Sequence, residues 1–166
     1  MSHRLQVKMV SYDADDKAIR ANGLNKLNKL IGADAYELTD RNPDVVFFMS
    51  GGSEKEAIRS LREGRYYMLL AHNEANAYAA ATEVKAFMDQ HNMRSVIIAA
   101  DMPDAGDAIK KYSQAIKAIK SLQGKKIGLI GGVSEWLVAS NPEAYIIRDK
   151  LGIEIVRYQW KDLPSL

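Results

Sequence analysis

Apolar positions along the chain fall into short runs whose period changes from segment to segment. Leu5 to Tyr12 alternates, with Leu5, Val7, Met9 and Ser11 on one face, and reads as the first strand. Asp44 to Glu56 reads differently. Its apolar residues run without a break from Val45 to Met49 and then meet Gly51 and Gly52. A continuous apolar run bounded by turn residues predicts a strand buried on both faces. Tyr66 to Ala71, Ser95 to Ala100 and Lys125 to Gly132 are further strands, Ile153 to Tyr158 alternates as another, and Ala35 to Leu38 is a short one.

Helical spacing fills the intervals. Asp13, Asp15 and Asp16 place negative charge where a helix start favours it, and Ile19, Leu24, Leu27, Leu30 and Ile31 follow, ending at Gly32. Gly23 costs this helix about 1 kcal/mol relative to Ala and is the place for any bend. Ser53 and Glu56 have the spacing of a capping box for a helix that carries Ala57, Ile58 and Leu61 and stops at Gly64. Ala75 to Gln90 is rich in alanine, which permits close approach to a sheet. Asp107 to Leu122 has Ile109, Tyr112, Ile116 and Ile119 on one stripe, with Lys110, Lys111, Lys117 and Lys120 as a solvated face. Asn141 and Pro142 read as N-cap and first residue of a last helix, closed by Leu151-Gly152.

This alternation predicts an α/β chain, a flavodoxin-like or Rossmann-like three-layer sandwich with a mostly parallel sheet. One connection breaks the rule. Only Thr39 to Pro43 separates the second strand from the third, and a parallel crossover needs a dozen or more residues. The second strand is therefore an edge stub or is paired antiparallel. After Leu122 a polar link opens a new β-α-β unit. Two strands and one helix cannot bury a core alone, so 125–166 either packs back on the main sheet or begins a second domain after a first domain over 1–124.

Composition narrows the classes. The 166 residues fit one domain, and 23 basic against 21 acidic residues provide no electrostatic case for nucleic acid. No apolar run approaches membrane-spanning length, and the N-terminus, with His3 in a frayed start, lacks the pattern of a signal peptide. A cytoplasmic protein is expected. With no cysteine there is no disulfide, thiolate metal site or thiol nucleophile.

Parallel strands bring their following loops to one edge, where ligands bind. Here that edge collects Gly51, Gly52, Ser53 and Glu54, then His72, Asn73, Glu74 and Asn76, then Asp101, and then Ser134, Glu135 and Trp136. Glycine turns bring backbone amides close to a ligand. One imidazole among carboxylates can serve acid–base chemistry or a cation, but the spacing is not that of a metal motif, and loop carboxylates commonly cap helices. His91, near a helix end, is a surface residue. Trp136 and Tyr78 offer stacking faces or plain packing. Gly128, Gly131 and Gly132 lack the dinucleotide order, and neither a nucleophile elbow nor a P-loop occurs. No catalytic constellation stands out.

Three segments share an order with one family. MSGGSEKEAI from Met49, MLLAHNEANAYAAATEVKAFM from Met68 and LQGKKIGLIGGVSEWLVASN from Leu122 resemble the N-terminal region of the L-fucose isomerase and L-arabinose isomerase superfamily, and Leu151-Gly152-Ile153 matches its later strand entry. The likeness runs from about Asp44 onward; the missing helix after Leu38 departs from it. It implies an aldose–ketose isomerase whose metal ligands, acid and base lie in later domains. This stretch is then a non-catalytic N-terminal domain that builds oligomers and the rim of a substrate site. By position, Gly51, Gly52, Ser53, Glu54, His72, Asn73, Asn76, Ser134 and Trp136 are its ligand-edge residues. It also implies no cofactor in this chain, Mn²⁺ in the complete enzyme, a small-molecule sugar as ligand, and a homo-oligomer or a catalytic subunit that supplies the metal site. The alternatives are a stand-alone sugar or sugar-phosphate binding module acting through the glycine-turn amides, and a small enzyme using the Glu/His/Asp edge.

Overall fold

The computed structural model describes residues 4–164, so His3 and the last two residues lie outside it. The chain forms two compact units, one ending at Ile116 and one beginning at Lys117.

The first unit is an α/β sandwich with a five-stranded, wholly parallel sheet. Its elements are β1 (Leu5–Val10), α1 (Lys17–Ile31), β2 (Tyr36–Leu38), β3 (Val45–Phe48), α2 (Glu54–Ser60), β4 (Tyr66–Ala71), α3 (Ala77–Gln90) and β5 (Arg94–Ala99), and α4 (Ala105–Leu122) starts within it. The strand order is β2-β1-β3-β4-β5. One face buries Leu5, Val7, Phe47, Met68 and Leu70 with Leu27 of α1 and Ile109 of α4. The other buries Val10, Val46, Phe48 and Leu69 with Ala57 of α2 and Ala80, Ala81, Val84 and Met88 of α3. The unbroken apolar run of β3 therefore has a physical cause, since helices cover both of its faces.

The short β2–β3 link is settled by register. β2 pairs only with Leu5 to Val7, and β3 begins opposite Val7. The chain thus leaves β2 and enters β3 at the same level of β1, with nothing to retrace. β2 is an edge stub and runs parallel; the antiparallel pairing does not occur. The link is pinned at its end, where Asp44 N–H donates to the Gln6 carbonyl at 2.6 Å and Gln6 N–H donates to Asp44 Oδ2 at 3.0 Å. β1 is buried at every position but Gln6. Lys8 shares the α2 face with Val10 and meets Asp40 at 3.7 Å and Glu56 of α2 at 3.2 Å.

α1 runs unbroken through Gly23, from Lys17 to Ile31. That glycine is buried, and a Cβ there would collide with Met49 Sδ and Met9 Cε. The helix accepts a poor helix former because its backbone lies against the two methionines. Asp16 caps α1, its Oδ1 accepting from Ala18 N–H at 2.8 Å and Ile19 N–H at 3.1 Å.

Other expectations are corrected. The Ser53–Glu56 capping box does not form: the Ser53 hydroxyl donates to the Ser50 carbonyl at 2.8 Å, and Glu56 turns to Lys8. α2 ends at Ser60 rather than Gly64, which instead takes a left-handed turn (φ +74°) before β4. α3 begins at Ala77, because Ala75 and Asn76 are both left-handed.

The second unit contains β6 (Lys126–Ile130), α5 (Ala144–Leu151) and β7 (Glu154–Tyr158). β6 and β7 form their own parallel pair, separate from the five-stranded sheet. The last helix starts after Glu143, without a side-chain cap, so Asn141 and Pro142 precede it instead of opening it. Trp136, Val138, Tyr145 and Trp160 are all largely exposed.

Candidate functional site

In this strand order the chain turns outward in opposite directions after β1 and after β3. α1 packs on one face and α2 on the other, so a crevice opens at the carboxyl ends of those two strands. A cavity of about 150 Å³ lies there. α1 lines it with Ile19, Asn22, Gly23 and Lys26, the strand ends with Tyr12, Phe47, Met49 and Ser50, and the turn after β4 with His72, Glu74 and Ala75.

His72 is the most constrained of these groups. Its Nδ1 is hydrogen-bonded to Asp101 Oδ1, and the Asn73 backbone N–H donates to Asp101 Oδ2 at 2.7 Å. The Asn73 amide first, and the His72 ring next, hold the Asp101 carboxyl below its ordinary range. An ionised Asp101 selects the tautomer with hydrogen on Nδ1. His72 Nε2 is then the free acceptor, and it is buried with no hydrogen-bond partner. Phe47 meets the imidazole edge-on, with ring centroids 5.7 Å apart. Lys26 and Glu74 form an ion pair at 2.5 Å between α1 and the turn after β4.

The backbone around the cavity is strained. Ala75 takes φ +50° and Asn76 φ +58°. For an alanine that conformation costs about 1–2 kcal/mol. Gly51 helps to hold it: its N–H donates to the Ala75 carbonyl at 2.8 Å, and a Cβ on Gly51 would come within 3.0 Å of Asn76 Cβ. The glycine turn therefore serves close packing of one loop on another. The Gly52 amide faces its own Glu54 at 3.4 Å.

Of the residues expected at this edge, His72 and Glu74 line the cavity. Gly51, Gly52 and Ser53 form the turn after β3 and Glu54 opens α2, Asn73 supports Asp101, and Asn76 precedes α3. Ser134 and Trp136 belong to the second unit, in a turn where Leu137 N–H donates to the Ser134 carbonyl at 3.0 Å and Trp136 is 80 % exposed. The sequence reading missed the α1 contribution. Its signal was present: Ile19, Asn22, Gly23 and Lys26 follow the i, i+3, i+4, i+7 spacing of one helix face.

Among the described residues no three or more His, Asp or Glu side chains converge as a metal site. No helix of the described residues is long and apolar enough to cross a membrane. No protein-family model matches the sequence, and no curated protein matches it.

Proposed function

We propose that the chain is the N-terminal, non-catalytic part of an aldose–ketose isomerase-like protein, with its carboxyl-edge cavity on the rim of a sugar site and the metal-dependent step supplied by other polypeptide. The observation that carries this reading is His72, oriented by Asp101, with a buried, unpartnered Nε2 in a residue that lines the cavity. A buried polar atom without a partner costs about 1–3 kcal/mol, and a hydroxyl hydrogen-bonded there recovers it. The lining suits a sugar: Asn22, Ser50 and Lys26 offer polar contacts, and Phe47, Met49 and Ile19 offer an apolar wall for C–H faces. At about 150 Å³ the cavity takes one end of a sugar, which is what a rim does. The order of sequence motifs supports the family, and the exposed Trp136, Val138 and Trp160 support assembly with further polypeptide.

A second reading, a self-sufficient binding module, draws on the fact that the cavity is built wholly from the first unit. It favours a neutral sugar over a sugar phosphate. Lys26 is already paired with Glu74, and Asp16 occupies the amides at the start of α1.

The test is imidazole NMR of the 166-residue chain titrated with L-fucose and L-arabinose, followed by incubation with Mn²⁺ and assay for ketose. The His72 ring signals are expected to shift, with no ketose formed. Ketose production by this chain alone would refute the non-catalytic assignment, and unmoved His72 signals would remove the cavity from the sugar site. Saturable thermal stabilisation by free sugar favours the module.

A further inference from the structure

We propose that the groove between α1 and α4 is a second binding site, and that it takes an aliphatic anion: a chain of methylenes ending in one carboxylate. The groove is separate from the carboxyl-edge cavity, and the two share no lining residue.

The groove lies beside one close contact. A Cβ on Gly106 would come within 3.2 Å of the Leu30 carbonyl oxygen, so the first turn of α4 sits tightly against the end of α1 where position 106 has no side chain. Next to that contact a cavity of about 700 Å³ lies between the two helices, built wholly from the first unit. That volume falls in the range of small-molecule sites, roughly 300–1,000 Å³.

Its lining divides by chemistry. Leu5, Ile109, Leu30, Ile31, Ala35 and Pro103 give an apolar wall, the first two buried and the next two half-buried. None of the lining residues is aromatic, so the wall suits aliphatic surface and gives a flat ring nothing to stack on. Lys29 of α1 and Lys110 of α4 line the groove from its two sides. Among the described residues neither ammonium has an ion-pair or hydrogen-bond partner. Asn28 adds a third donor: its Oδ1 accepts from the Tyr36 hydroxyl at 2.7 Å, which leaves its N–H₂ to the groove. The one carboxylate present, Asp107, stands in the first turn of α4, where it answers the helix dipole. Two ammoniums against one carboxylate leave a positive excess, which a single anionic head complements. A sugar or sugar phosphate does not suit this wall, because its hydroxyls would face methyl groups without a hydrogen-bond partner.

The test is a titration of the full chain, with isoleucine methyls labelled for NMR, using decanoate below its micelle concentration. The Ile31 and Ile109 methyls are expected to shift saturably. Affinity should rise about twofold to fourfold per methylene from hexanoate to decanoate. Decanol should bind up to about tenfold more weakly, and Lys29→Ala/Lys110→Ala should remove that difference, as expected for two exposed ion pairs. Ser113→Trp, which puts a large ring on the groove lining, should block decanoate with circular dichroism unchanged. Neither variant should alter the response of the His72 signals to L-fucose, so this site and the sugar rim stand or fall separately. Absence of a saturable shift at Ile31 and Ile109 overturns the proposal, as does equal binding of decanoate and decanol by the wild type. Shifts that appear with rising protein concentration alone would give the groove to a second copy of the chain. Co-sedimentation with phosphatidylglycerol vesicles, without a response to decanoate, would give it to a membrane surface. Either result also overturns the proposal.

Discussion

Helix propensity and tertiary contact make opposite forecasts for Gly23→Ala. Propensity alone favours alanine by about 1 kcal/mol in a helix interior. The added Cβ, however, would run into Met49 Sδ and Met9 Cε, and its nearest third contact is Met49 Cγ at 3.0 Å. Overpacking of this kind costs about 1–3 kcal/mol. Both methionine tails can swing, so the cost belongs in the middle of that range, and the net expectation is a loss of about 1 kcal/mol. Urea denaturation followed by circular dichroism measures it. A double-mutant cycle makes the cause specific. In a Met49→Ala background the Sδ and Cγ collisions are gone and only the end of Met9 remains. There the same glycine-to-alanine change should stabilise, which gives a coupling of about 2 kcal/mol between positions 23 and 49. If Gly23→Ala stabilises the wild-type chain by the full propensity gain, the close approach of α1 to the methionines is not there. A coupling near zero would equally refute the argument. Because Gly23 also lines the cavity, the single variant should weaken any L-fucose-induced shift of the His72 signals.

Three further outcomes follow from the same geometry. The Tyr112 hydroxyl lies 2.9 Å from the Asp44 carbonyl and 3.0 Å from the Tyr66 carbonyl, and burial, then the charge of Asp44, pushes its ionisation up. Tyr112→Phe should cost about 1–2 kcal/mol at pH 7. With the folded-state value raised, the Tyr112 contribution is intact below the ordinary tyrosine range near 10 and is lost as pH climbs above it, so the wild-type minus Tyr112→Phe difference should shrink in alkaline urea titrations. Ala75→Gly should stabilise by up to about 1 kcal/mol, since it removes a left-handed alanine at some cost in unfolded-chain entropy; calorimetry that finds a loss would argue against the strained turn. Asp101, with a lowered folded-state value, stabilises above the ordinary carboxylate range and loses that contribution as pH falls through its folded value, so the wild type should lose stability in acid more steeply than Asp101→Asn.

Much of the architecture could be read from residue order. The unbroken VVFFM run announced a strand covered on both faces, and the Leu5/Val7/Met9 alternation announced a strand without showing that its other face is buried too. Both signals report burial, and burial is what hydrophobic period encodes. Local hydrogen bonding was less legible. Ser53 and Glu56 have capping-box spacing, yet each found a stronger partner: the Ser50 carbonyl for one, the Lys8 ammonium for the other. Spacing states which bonds are possible, and competition between partners decides which form.

His72 and Asp101 were both visible as members of one sheet edge, but 29 positions separate them, and nothing local says that they meet. Neither does anything local say that Lys26 and Asn22 face the same cavity, or that six residues suffice between β2 and β3. Those facts belong to register and strand order: β4 beside β5 brings the two loops together, and a stub that stops level with Val7 removes the need for a crossover. Periodicity reports whether a residue meets water or protein, whereas which residues become neighbours depends on long-range pairing, which the fold as a whole selects.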